Sequence, residues 1–356
     1  MNTYIGTQRK ITTDVNAPKS SVSAITGATV RDNSGSYRAV WFALTLVGFA
    51  LLLAFPDTVR GAVILSLRLC ATKLIPSLFP FAVLGELAVM LGLAELFGSV
   101  FARPFKRFFG ISGIGAAAFF IGAVCGLPLG GKYAVSLYEN GSLSKEECEY
   151  MCGTVSNTGL GFTVIGIGSA IFGSIGAGIV IYCTQLISAI AVGIVSRPKQ
   201  LHSIAPVTVQ TQKKSFPEAL ALALSDAALS MVRICGCVIF FSVIAAFTES
   251  VCDLFKLPRT LCALLLSLTE ITSACSYVAK ILPSVAPVTA QTLICLLFFA
   301  VGFTGMSAHI QLASFAYPHK LSLRRHYASK LTCGVLCACI GAFIMLFCDG
   351  SGFFRI

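Results

Sequence analysis

Residues 125–132 read Cys-Gly-Leu-Pro-Leu-Gly-Gly-Lys and close a run that is otherwise apolar. From Ile111 to Val124 the chain holds Gly, Ala, Ile, Phe and Val with one Ser and no charge. Proline removes a helix hydrogen bond and clashes with the preceding turn, and glycine lets the backbone leave helical geometry. In hydrocarbon, freed backbone groups survive only where protein buries them or where they line a cavity. Gly126, Pro128, Gly130 and Gly131 therefore mark a broken helix, and Lys132 puts a cation at the start of the next one. Helix starts favour anions through unpaired N–H groups and the helix dipole. The chemistry expected is anion binding; the plainer alternative for Lys132 is a side chain snorkelling to the interface.

Three other places carry polar chemistry inside apolar runs. Glu270 lies in Leu268-Thr269-Glu270-Ile271-Thr272, where a carboxylate at depth is costly and is usually paired, hydrated or functional. It is read as pairing with a lysine such as Lys132, as coupling a proton, or as a structural helix-end charge. His309, in Gly305-Met306-Ser307-Ala308-His309-Ile310-Gln311, can hydrogen-bond a ligand or titrate, or simply pack between helices. Asn157, Thr158, Thr272, Ser307 and Gln311 supply neutral groups that orient a ligand or join helices. Arg68, Lys73, Glu86, Arg233 and Glu249 also fall in or beside apolar runs and are read as structural.

Other chemistries lack their residues. The chain has no G-x-S-x-G, no H-E-x-x-H, no Walker loop and no carboxylate pair at catalytic spacing, so no enzyme and no cofactor is expected. Cys235-x-Cys237 and Cys333-x3-Cys337-x-Cys339 have no neighbouring histidine or carboxylate, so no metal is expected. The net charge of +11 comes from short clusters rather than a basic stripe with aromatics, which argues against nucleic acid.

The elements that must position these residues are membrane helices. Only 12% of the 356 residues are charged and 56% are hydrophobic, whereas soluble domains carry about 25% charged residues. The fold expected is all-α and polytopic, with eight to ten apolar segments, some too short or interrupted to be simple spans. A polar N-terminal tail over 1–38 has no early apolar core, so no signal peptide is expected, and the tail is read as disordered. The first membrane half is 39–196, a basic linker covers 197–215, and the second half is 216–350. Pro76 and Pro80 are expected to separate one apolar stretch, Ala62–Ile75, from the next, Phe79–Phe97. Ser144 with Glu147 three residues later reads as a helix start. The clusters at 103–107, 197–214 and 320–330 are expected to be cytoplasmic, together with the N-terminus.

The halves echo each other. The break at 125–132 is followed about thirty residues later by Ser156-Asn157-Thr158-Gly159. In the second half, the break at 268–272 is followed at a similar distance by the one at 302–311. Paired interruptions in corresponding places of two halves point to a site between two pseudo-repeats.

These segments resemble the sporulation integral membrane proteins of the YlbJ type, within the nucleoside-recognition, or Gate-domain, membrane superfamily. The resemblance rests on Cys125–Gly141, on Pro76–Phe81 with Glu86, and on Ser144–Glu147 through Gly159. It continues through Leu268–Thr272 and Gly302–Gln311. Leu127 departs from it, standing where the family usually has tyrosine. The resemblance implies a multispanning protein of the cell membrane in endospore-forming bacteria, placed in a mother-cell-derived membrane around the forespore. It further implies movement of dipicolinate, a small aromatic dicarboxylate, with other sporulation membrane proteins as partners. The alternatives are a non-transporting assembly factor for spore maturation and a nucleoside transporter. The expected site comprises Gly126, Pro128, Gly130, Gly131, Lys132, Asn157, Thr158, Glu270, Thr272, Ser307, His309 and Gln311.

Overall fold

The structure, a computed structural model, describes residues 34–198 and 215–347, and every regular element among them is helical. The tail up to residue 33, residues 199–214 of the linker and residues 348–350 of the second half lie outside the described residues. Helix α1 (Ser34–Ala54) stands as a unit of its own. It begins five residues before the boundary expected at Ala39, and it carries no charge after Arg38.

The remaining helices begin with α2 (Pro56–Leu69), a π-helical turn over Cys70–Leu74 and α3 (Ile75–Met90). These run on as one apolar stretch, so Pro76 does not end a segment as expected. The wider turn at 70–74 changes which carbonyls are used, and Pro76 enters α3 at its first turn, where no N–H is needed. Next come α4 (Leu93–Phe108) and α5 (Gly113–Cys125), bent by 98° across the break between Phe108 and Gly113, with Gly98 packed backbone to backbone against Gly113. Helices α6 (Leu129–Glu139) and α7 (Lys145–Val155) follow, then a π-helical segment, Gly161–Ser169, and α8 (Ile175–Val195). Ser144 caps α7 as expected, accepting from the Glu147 N–H at 3.1 Å. The Glu147 carboxylate reaches instead to the Ser112 N–H at 2.9 Å and ties α7 to the start of α5.

The second half opens with α9 (Phe216–Leu254), 39 residues long. It continues with α10 (Arg259–Thr269), α11 (Ile271–Ile281), α12 (Pro287–Phe303), α13 (Gly305–Ala316) and α14 (Arg324–Phe347). Among the described residues, five helical stretches are long and apolar enough to cross a membrane, and the α4–α5 pair makes a sixth if it counts as one broken span. The chain is therefore a multi-pass α-helical membrane protein, with apolar side chains such as Val232 and Phe240 of α9 facing outward.

Small residues let helices close to backbone contact. On α5 and α6, Gly122, Gly126 and Gly130 face the end of α7. A Cβ at Gly122 would lie 2.1 Å from the Val155 carbonyl oxygen, and one at Gly126 would lie 2.3 Å from the Gly159 nitrogen. Gly126 itself has φ +77° and ψ −167°, a conformation that glycine alone adopts freely. The break between α5 and α6 thus crosses the bend after α7. A second crossing joins the break between α10 and α11 to the break between α12 and α13, where Gly305 approaches Thr269, Glu270 and Ile271.

Candidate functional site

At the first crossing the two interruptions satisfy each other. The Leu127 N–H donates to the Asn157 carbonyl oxygen at 2.8 Å, and the Gly130 N–H returns to the Gly126 carbonyl oxygen at 3.1 Å. Lys132, on the first turn of α6, does not face this crossing. Its ammonium donates to Glu86 Oε1 at 2.6 Å and lies 3.9 Å from Asp226 Oδ2. Glu86, read from the sequence as structural, is thus the partner of the expected anion-binding cation.

At the second crossing Glu270 is 1% exposed and extended (φ −152°, ψ 122°), as a residue preceding a helix must be. Its carboxylate accepts from the Thr272 N–H at 2.9 Å, the Thr272 hydroxyl at 2.8 Å and the Ser273 N–H at 2.6 Å. The expected pairing of Glu270 with Lys132 is therefore absent. The carboxylate needs no cation because the positive end of α11 takes its place. Thr304, between α12 and α13, has φ +72°, and Gly305 has φ +73°.

A crevice of about 520 Å³, part of it open to the outside, lies where the two crossings meet. Of the residues expected at the site, Thr158, Glu270, Thr272, Ser307 and Gln311 line it. Thr158 is held by Thr163 at 2.9 Å and by Gln185. The Ser307 hydroxyl, 2% exposed and three residues past the break on α13, has no partner. The crevice therefore receives the uncapped N-terminus of α13 and one free hydroxyl, a combination that binds carboxylate oxygens.

Two larger cavities flank the crevice. One, about 900 Å³ with its open part, contains Pro128, Arg233 and Phe315 and shares Gln311 with the crevice. The other, about 1070 Å³ with its open part, contains Arg68, Lys73, Lys280 and Glu249 and shares Thr272 with it. All three cavities are walled by α9. From Arg233 to Glu249 that wall rises about 24 Å at 1.5 Å per residue, most of a hydrocarbon core about 30 Å thick. Arg68 and Lys73, read from the sequence as structural, thus face a cavity.

Behind the crevice wall lies a polar cluster. Asn157 and His309 belong to the expected site, but neither lines the crevice. Asn157 Oδ1 accepts from Lys330 at 2.6 Å, and Asn157 Nδ2 donates to the Thr154 carbonyl oxygen at 2.8 Å. His309 meets His326 at 2.8 Å, and His326 meets the Cys152 carbonyl oxygen at 3.0 Å. His326 and Lys330 are 0% and 1% exposed, so these two members of the 320–330 cluster are interior groups and not loop charges. Their spacing was the signal: His326, Lys330, Cys333, Cys337 and Gly341 recur every three or four residues and form one buried face of α14.

No family model matches the chain, and no solved structure matches it. Over 307 residues it is 24% identical to the sporulation integral membrane protein YlbJ of Bacillus subtilis (strain 168), covering 76% of this chain and 73% of that protein. The chain resembles the YlbJ type. The crevice lies among the four breaks on which the YlbJ-type resemblance was read. Leu127, the point of departure from the YlbJ-type pattern, lines its wall.

Proposed function

We propose that the chain is a secondary or facilitated transporter of a small organic anion, dipicolinate being the first candidate, acting during endospore formation. The observation that carries this reading is the file of three cavities along α9. Neighbouring cavities share Gln311 and Thr272 in their walls, and the middle one, the smallest of the three, lies where two pairs of broken helices cross. Broken helices at mid-depth between two repeated halves are how secondary transporters build a site from backbone ends. The sign of the permeant follows from the flanking charges. One outer cavity presents Arg233 and the other presents Arg68, Lys73 and Lys280 against a single Glu249. Between them the α13 N-terminus and the Ser307 hydroxyl take a carboxylate. In this reading Lys132, bound to Glu86, serves to hold α6 against α3 and leaves the ligand contact to the crevice.

The similarity to a sporulation integral membrane protein supports the developmental setting, with the protein in a mother-cell-derived membrane around the forespore. The basic ends at 103–107 and 320–325 face the cytoplasm in this reading. The test is flux into vesicles containing the purified protein. Dipicolinate enters faster than into protein-free vesicles, uridine competes poorly, and Gln311→Leu or Ser307→Ala slows entry. Entry no faster than the protein-free rate removes the transport reading and leaves an assembly role.

A further inference from the structure

Lys330 is a buried lysine with no carboxylate partner among the described residues. It is 1% exposed, and Asn157 Oδ1 accepts one of its protons at 2.6 Å. None of the ion pairs among the described residues includes it. A lysine ammonium has three donors and no acceptor capacity, so one acceptor leaves it poorly held. An ionisable group kept inside a membrane under those conditions is a functional site by default.

The histidines beside it have a direction. The Cys152 carbonyl oxygen only accepts, so His326 Nδ1 must carry the hydrogen in their 3.0 Å bond. His326 Nε2 is then the acceptor for His309 Nδ1–H at 2.8 Å. This leaves a lone pair on His309 Nε2. That atom is buried and has no partner, and the ring is flanked edge-on by Phe303 and Tyr327. The pair is therefore a two-ring relay ending in a free base. Lys330 lies close enough for its charge to act on both rings. The other titratable groups facing it are the Cys333 and Cys337 thiols of its own helix.

We propose that Lys330 and the His309–His326 pair form one proton site, holding a single positive charge that couples proton movement to the transport cycle. In one state the proton sits on Lys330 Nζ; in the other it sits on His309 Nε2, and the lysine is a neutral amine. Both at once would place two cations side by side in a dry interior, so the site holds one. The site touches the path through its neighbours in the chain: Asn157 precedes Thr158, His309 lies between Ala308 and Gln311, and Thr158, Ala308 and Gln311 line the crevice. The coupling role rests on the transport reading above; the proton site itself does not.

The experiment uses the full-length protein in vesicles with two flux assays and one assay without flux. With voltage clamped at zero and one proton moved per permeant, a gradient of one pH unit supports about tenfold accumulation of dipicolinate. Exchange of labelled for unlabelled dipicolinate at equal pH reads the path alone. Lys330→Arg keeps a charge that cannot be given up, and Lys330→Met and His309→Gln each remove one station. Expected are accumulation in the wild type and exchange without accumulation in the variants. A purely structural lysine is rescued by arginine, so accumulation retained in Lys330→Arg overturns the proposal. Wild-type exchange with no response to the gradient overturns it as well, and leaves the path intact. If the wild type shows no exchange, the transport reading fails, and nitrogen-15 spectra of histidine-labelled protein judge the site. A ring in Lys330→Met that gains a second N–H supports it; spectra unchanged from wild type overturn it.

Discussion

Gly122→Ala tests the crossing on which the site is built. The new Cβ would stand 2.1 Å from the Val155 carbonyl oxygen and 3.0 Å from its carbon. A carbon–oxygen contact needs about 3.3 Å, so α5 and α7 must part by about 1 Å. The obstacle is backbone and cannot swing aside. Overpacking of this kind costs about 1–3 kcal/mol or more, against about 1 kcal/mol regained because alanine is the better helix former. The control is Gly61→Ala in α2, where an added Cβ meets nothing within 4 Å. There only the propensity gain of about 1 kcal/mol remains, so the same substitution has opposite signs at the two places. A thiol-reactive dye on detergent-solubilised protein follows unfolding, because Cys125, Cys148 and Cys152 around the crossing are free and buried. In a chain of this length each kcal/mol moves the midpoint by about 1.3 °C, so Gly122→Ala unfolds about 1–4 °C below Gly61→Ala. If Gly122→Ala unfolds at or above the temperature of Gly61→Ala, the backbone crossing is wrong.

Four further outcomes follow from single contacts. Glu270→Ala removes an N-cap and strands two buried N–H groups, lowering stability by about 2–4 kcal/mol; Glu270→Gln, which keeps one acceptor, loses roughly half of that, and denaturation in detergent compares them. In a double-mutant cycle on Lys132 and Glu86, the pair couples by about 1 kcal/mol because the lysine side chain is still 31% exposed; a coupling of zero shows that the contact does not hold α6 to α3. Thr304→Gly releases a β-branched residue from φ +72°, so stability rises or holds within about 1 kcal/mol while flux falls; an equal loss of stability and flux contradicts the strain. Lys106→Cys reacts with membrane-permeant thiol reagents in intact cells and resists impermeant ones, and labelling by the impermeant reagent reverses the proposed orientation.

The breaks were legible because each puts a conspicuous residue into an apolar run. Gly126 and Pro128, Asn157 and Gly159, Glu270, and Gly305 all fall where the structure interrupts a helix. What those residues bond to was less legible. Lys132 and Glu86 are 46 positions apart, and no local period relates them. Glu270 invited a search for a cation, yet the answer stood two and three residues downstream, since a carboxylate before Thr272-Ser273 can accept from the helix it precedes. Lys330 was hidden by reading charges along a line. Counted with Lys320, Arg324 and Arg325 it is one of a basic cluster, but on a helix it shares a face with Cys333 and Cys337 and turns inward. Pro76 misled for the opposite reason, because a single π-helical turn absorbed a break that proline alone predicts.

The two crossings are held by different means, and this sets which one can yield. The first is backbone against backbone. Gly122, Gly126 and Gly130 leave no room for a side chain, Leu127 bonds to Asn157 through the main chain, and Lys330 anchors Asn157 from behind. Sliding there means driving carbonyls into Cα atoms. At the second, an added Cβ on Gly305 would press on the backbone of Thr269 and Ile271 at 3.2 Å, tight but looser than at Gly122 or Gly126, and the helix end is capped by the Glu270 side chain, not by another strand of backbone. The α11 N-terminus is thus held by one side chain, and Thr304 holds backbone strain at φ +72° in the facing break. In the transport reading proposed above, the second crossing is therefore the one expected to move while the first stays fixed.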